Sequence, residues 1–62
     1  SNQGGIEMTK GDFARVLKSK YIPEGTFVEI LRELQEGIYL CGTPNNDSYI
    51  VVAKNLMPIT EE

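Results

Sequence analysis

The chain has 62 residues, a formal net charge of −3, a hydrophobic fraction of 40% and a charged fraction of 24%. A chain of this length forms at most one domain with a small core, which excludes a large active-site cavity. The composition is too apolar for a disordered protein. Its six lysines and arginines are dispersed among nine acidic residues, so the charge pattern disfavours nucleic acid as a partner.

Cysteine and histidine usage limits the chemistry further. Cys41 is the single cysteine and the chain has no histidine. Without a second cysteine there is no internal disulfide, which favours a reducing compartment, and we expect a cytoplasmic location. The same composition offers no zinc site, so we expect no metal and no other cofactor. No apolar run approaches the ~18 residues of a membrane helix, and no signal sequence opens the chain, so we expect no membrane partner.

The two ends of the chain read as tails. Residues 1–8 open with the polar, glycine-containing string SNQGG, which predicts a disordered tail or the remnant of a cleaved purification tag. Residues 61–62 are two glutamates and are expected to lie in solvent. The domain is therefore predicted to span residues 9–60.

Residues 9–20 support two interpretations. Phe13, Val16 and Leu17 have the spacing of a helix face, whereas a turn signal at residues 10–12 followed by alternating residues predicts a strand over 12–18. We favour the strand, because Gly11 fits poorly inside a helix. Ala14 and Val16 would then share one face of the strand.

The rest of the chain reads as short strands separated by tight turns. Pro23 and Gly25 predict a chain reversal, and further turn residues lie at 35–37 and 43–48. Strands are predicted at residues 26–34, 38–42, 49–53 and 57–60. The run at 49–53 is apolar on both faces, which predicts burial on both sides. One 3₁₀ turn is expected between Ala53 and Leu56.

These elements predict an all-β fold with five short strands and no long helix. The chain is too short for a two-sheet sandwich. A small five-stranded barrel fits best, because closing the sheet removes the free edges that such β-prone strands would otherwise expose.

The order of the signals resembles a Src-homology-3-like (SH3-like) barrel. Gly-Asp precedes an Ala-Arg-Val-Leu strand, Ile-Pro-x-Gly-Thr opens the next, Glu-Gly-Ile-Tyr opens the third, and Val-Val-Ala-Lys-Asn-Leu-Met-Pro-Ile closes the chain. The eukaryotic proline-peptide binders have a tryptophan at the start of the third strand, where this chain has Ile38 and no tryptophan anywhere. The resemblance therefore implies the fold and not the proline ligand, and it is closer to bacterial and phage-type members.

No residue pattern indicates catalysis. Cys41 lies between Leu40 and Gly42 and has no histidine to activate it, so it is expected to be a small buried hydrophobe. The dispersed acids are expected to be solvated side chains: Glu29, Glu33, Glu36 and Asp47. We therefore expect a protein that is not an enzyme.

The leading hypothesis is a non-catalytic module for protein interaction or assembly. Its partner would be another protein or its own copy, bound through Tyr21, Ile38, Tyr39 and Tyr49, because aromatic residues with polar ends are favoured at interfaces. The competing interpretation of the tyrosines is that they complete a small core.

The alternative hypothesis is nucleic-acid binding by a small barrel with a weak basic edge. Arg15, Lys18 and Lys20, close in sequence to Tyr21, would form that edge. The acidic balance of the whole chain disfavours this function.

Overall fold

The computed structural model describes residues 7–59. The tail predictions for residues 1–6 and 61–62, and the expected strand end at Thr60, lie outside this range. The strands are β1 (Phe13–Val16), β2 (Phe27–Gln35), β3 (Ile38–Gly42), β4 (Ser48–Val52) and β5 (Leu56–Ile59). A 3₁₀ turn, Ala53–Asn55, joins β4 to β5 and is the only helical element within the described range. The all-β prediction is confirmed, and the helical interpretation of residues 9–20 is wrong.

The five strands form one antiparallel sheet in the order β4-β3-β2-β1-β5. The edge strands β4 and β5 are consecutive in sequence and are joined only through the 3₁₀ turn. The sheet is curled, but no backbone pairing between β4 and β5 is found in residues 7–59. Closure of the barrel therefore stays a prediction.

Strand β2 bends and is shared by the two halves of the sheet. Its register with β3 shifts between Ile30 and Arg32 and again between Glu33 and Gln35. A bulge of this kind adds one residue to one strand and increases its local twist. The first part of β2 pairs with β1, and the second part pairs with β3. One half of the sheet is therefore β5-β1-β2 and the other is β2-β3-β4.

The core lies against the concave, inner face of the sheet. Alternate residues of β1 and β2 are buried, as the period of two in a strand requires: Ala14 and Val16, then Val28 and Ile30. The other core residues are Met8, Ile22, Tyr39, Cys41, Val51 and Leu56. Every strand contributes to this cluster, so a single sheet covers it by curving around it.

Met8 belongs to this core. Its side chain is only 3% exposed, and its backbone N–H donates a hydrogen bond to the Tyr39 hydroxyl oxygen at 3.2 Å. The prediction that residues 1–8 form a tail is therefore wrong for Met8. A core this small gains from an apolar side chain that arrives from outside the strands.

The predicted burial of residues 49–53 on both faces is also wrong. Val51 is buried, but Ile50 is 65% exposed on the opposite face of β4. The reason is that the fold has one sheet, so nothing in residues 7–59 covers its convex, outer face. No helix in these residues is long and apolar enough to cross a membrane.

Candidate functional site

The predicted aromatic set divides between the core and the surface. Tyr39 is 1% exposed and lies inside the curled sheet, so its assignment to a partner-binding surface is corrected: it is a core residue. Ile38 is half-buried at the start of β3. Tyr21 is 74% exposed, and its ring stacks on that of half-buried Tyr49 with 6.5 Å between centroids and 10° between planes.

The stacked tyrosines lie at a groove between the β1–β2 loop and the β3–β4 hairpin. The groove has a volume of about 340 Å³. It is lined by Tyr21, Ile22, Pro23, Thr26, Thr43, Pro44, Asn45, Asp47 and Tyr49. Tyr49 packs against the core from this side, which fixes the ring on which Tyr21 stacks. Two of the four predicted partner-binding residues are therefore brought together.

The predicted basic edge is also divided. Lys18 and Lys20 line a recess of about 410 Å³ together with Lys54, Ser19 and Asn55. Arg15 lies elsewhere: its guanidinium donates to the Gly25 carbonyl oxygen at 3.0 Å and sits 5.6 Å from the centroid of the Phe27 ring. Lys54 joins the lysines because the Leu17 N–H donates to the Asn55 carbonyl oxygen at 2.7 Å.

A third surface, which the predicted site residues did not include, is the outer face of β5-β1-β2. Five large apolar side chains on it are more than a third exposed: Phe13, Leu17, Phe27, Met57 and Ile59. We call this set, with Arg15 among its members, the apolar face. The strand register brings it together, since Phe13 is opposite Ile59, and Arg15 is opposite both Met57 and Phe27.

Two aromatic rings are fixed within the apolar face. The rings of Phe13 and Phe27 stack with 5.0 Å between centroids and 16° between planes. The Arg15 guanidinium covers Phe27 and is held by the Gly25 carbonyl. Rings on paired strands lose little further conformational freedom when they contact a partner, so this arrangement is suited to binding.

The chemistry available to Cys41 is limited by burial. The side chain is fully buried, and this burial raises the pKa of the thiol to about 11. A protonated, inaccessible thiol is a poor nucleophile. The prediction that Cys41 is a small buried hydrophobe is confirmed.

The acidic residues form no site that the structure describes. Within residues 7–59, no group of three or more histidine, cysteine, aspartate or glutamate side chains is placed to hold a metal ion. The described geometry thus offers three surfaces: the tyrosine groove, the lysine recess and the apolar face.

Comparison with protein-family models, with curated proteins and with solved structures finds no match to this chain.

Proposed function

We propose that this protein is a non-catalytic module for protein interaction or assembly, and that it binds another protein or its own copy through the apolar face. The observation that carries the proposal is the exposure of five large apolar side chains on one side of β5-β1-β2. Isolated exposed apolar residues are common on proteins, whereas a contiguous apolar patch usually marks a contact surface.

The composition of the apolar face supports this function. Interface cores are enriched in aromatic residues, methionine and arginine, and all three are present here as Phe13, Phe27, Met57 and Arg15. Two charged side chains lie on this face: Arg15, which is held by a backbone carbonyl and an aromatic ring, and Glu29, which is opposite Phe13 on β2. We infer a partner with an apolar patch and a carboxylate placed to meet Arg15.

We also propose that the chain forms an SH3-like barrel similar to the bacterial and phage-type members of that superfold. The strand order β4-β3-β2-β1-β5, with a 3₁₀ turn before the last strand, is compatible with that superfold. Barrels of this kind have diverse functions, so the fold alone does not indicate the function, and the apolar face is the feature that supports it. The proposed location is the cytoplasm, where a free buried thiol such as Cys41 is common.

Affinity capture from the source cells, with matched variants, tests the proposal. Met57→Ser and Phe27→Ser change the apolar face, and Tyr21→Ser replaces an aromatic ring outside it. We expect the first two to weaken binding of a captured protein about tenfold each, as loss of a central apolar contact does, and Tyr21→Ser to leave it unchanged.

Circular dichroism establishes first that each variant is folded. The proposal is wrong if binding survives Met57→Ser and Phe27→Ser but is lost in Tyr21→Ser. That result would move the interface to the tyrosine groove.

A second candidate function is nucleic-acid binding, and one observation favours it: Lys18, Lys20 and Lys54 surround one recess, and the exposed Tyr21 follows Lys20 in the chain. Lysines supply phosphate contacts and an exposed ring supplies a stacking platform for a base. The test is fluorescence anisotropy with a labelled single-stranded oligonucleotide at low salt. Three phosphate contacts would give a slope of about −2 for log affinity against log salt. Absence of binding at low salt excludes this function.

A further inference from the structure

The β4 edge of the sheet has features that suit pairing with another strand. Strand β4 pairs only with β3, so its other side is an open edge within the described residues. The segment Ser48–Val52 contains no charge and no proline, and its register with β3 is continuous. The opposite edge strand, β5, carries Pro58, a residue that has no N–H to offer a new strand. Only one of the two edges is therefore blocked.

The backbone groups that point outward from β4 can be assigned. The Thr43 N–H donates to the Asp47 carbonyl oxygen at 2.8 Å, and the Ala53 N–H donates to the Gly37 carbonyl oxygen at 2.8 Å. In an antiparallel ladder such bonded positions alternate along a strand. Tyr49 and Val51 therefore direct their backbone groups toward β3. The N–H and C=O groups of Ser48, Ile50 and Val52 point away from it.

We propose that β4 pairs with β4 of a second copy of this chain, antiparallel and with the two-fold axis at Ile50. In this register Ile50 is opposite Ile50 of the second copy, and Ser48 is opposite Val52. The three outward residues of each strand then exchange all their N–H···O bonds. No other register about a two-fold axis satisfies every outward group of both copies.

Side chains support the same register. Ile50 is 65% exposed and lies next to half-buried Leu40 on the outer face, so the paired isoleucines extend an existing apolar row. Asp47 precedes β4 and Lys54 follows it. An antiparallel pair brings Asp47 of one copy near Lys54 of the other, whereas a parallel pair would bring like charges together.

The proposed dimer interface is β4, whereas the proposed function uses the apolar face. Either proposal can therefore be correct when the other is wrong.

Two five-residue strands bury a small area, and a weak dimer is expected, with a Kd on the order of micromolar or higher. Sedimentation velocity over a concentration series should show the mass rising from the 6.9 kDa of the chain toward twice that value. A chain that stays monomeric up to about 1 mM overturns the proposal.

Cysteine cross-linking tests the register. Ile50→Cys places two thiols at the axis, with Cα atoms about 5.5 Å apart, within the range of a disulfide. Ser48→Cys is the matched control, because its two copies would be about 13 Å apart along the strands. Oxidation should give a covalent dimer of Ile50→Cys and not of Ser48→Cys. Equal or reversed cross-linking overturns the register. Cys41 is buried in either variant.

A charge at the axis provides a second test. Ile50→Lys places like charges opposite each other and should abolish the dimer, while Glu36→Lys, which adds the same charge at the exposed turn between β2 and β3, should not. Circular dichroism checks that each variant is folded. A dimer that persists in Ile50→Lys but is lost in Met57→Lys, a variant of the apolar face, contradicts the proposal and assigns self-association to that face.

Discussion

The inner and outer faces of the β5-β1-β2 half are built from alternate residues of the same strands, and both are apolar. The inner residues Ala14, Val16 and Val28 are at most 1% exposed. The outer residues Phe13 and Phe27 are each 40% exposed and are larger than their inner neighbours. On β1 and the first part of β2, therefore, small and β-branched side chains face the core, and the two phenylalanine rings lie on the outer face.

The fold requires the apolar residues of the inner face but does not require those of the outer face. The inner residues pack together in one core cluster to which every strand contributes. The apolar side chains of the outer face stay in contact with water, so they add little to the free energy of unfolding. Matched substitutions on the two faces should therefore have unequal effects on folding, and the inequality can be measured.

The largest contrast is expected between the two methionines. Met8 is 3% exposed and Met57 is 54% exposed. Met8→Ala should lower the free energy of unfolding by about 2–5 kcal/mol, because it removes buried atoms and leaves a cavity. Met57→Ala should cost less than about 1 kcal/mol, because much of its side chain is already hydrated. Urea denaturation measures both.

A loss below about 0.5 kcal/mol for Met8→Ala would show that the segment before β1 does not complete the core. Equal losses in the two variants would remove the distinction between the faces.

Alkaline pH should lower the free energy of unfolding because of the buried Cys41 thiol. Burial raises the pKa of this thiol from 9.0 to about 11, so the folded state retains the proton that the unfolded state releases. The stability that the buried, protonated thiol contributes is fully present below pH 9. It declines as the pH rises above 9 and is lost as the pH passes 11. Unfolding free energies at pH 8 and pH 10.5, for the parent and for Cys41→Ala, measure the effect. A parent and a variant with identical pH dependence would contradict it.

Removing the Tyr39 hydroxyl should have a moderate effect. Tyr39→Phe keeps the ring but leaves the Met8 N–H, which donates to that hydroxyl at 3.2 Å, without its acceptor. The expected loss is about 1 kcal/mol. Tyr21→Phe removes a hydroxyl from a residue that is 74% exposed and should have almost no effect. Thermal unfolding compares the pair, and similar losses would count against a core role for the Tyr39 hydroxyl.

The smallest effect on folding is expected at Arg15. Arg15→Lys keeps the charge but removes the planar group that lies over Phe27 and bonds to Gly25. The loss of stability should be about 0.5 kcal/mol or less, because the side chain is exposed. Binding of a captured partner should weaken more than folding does. A stability loss larger than the loss of binding energy would identify Arg15 as a structural residue only.

Much of the fold could be predicted from the sequence, because turn residues and alternation are local signals. The strands were predicted within two residues of their observed ends, and the inner positions of Ala14 and Val16 follow from alternation. Tyr39 could not be assigned in this way. It lies in a strand where every residue from Ile38 to Cys41 is apolar, so the pattern does not indicate which face is buried.

The candidate surfaces depend on contacts between segments distant in sequence. Met57 and Ile59 join Phe13 only because β5 pairs with β1 in one register. Lys54 joins Lys18 because the 3₁₀ turn meets the end of β1. The pairing of β5 with β1 is a long-range contact, and no local pattern in either segment fixes it.

Chemical-shift mapping by nuclear magnetic resonance would show directly which surface of the domain contacts the partner. The protein that affinity capture identifies would be titrated into labelled domain, and the shifted resonances assigned. Binding through the apolar face should give the largest shifts at Phe13, Phe27 and Met57, with small shifts at Tyr21 and Lys54. Large shifts confined to the tyrosine groove or the lysine recess, with an unchanged apolar face, would contradict it.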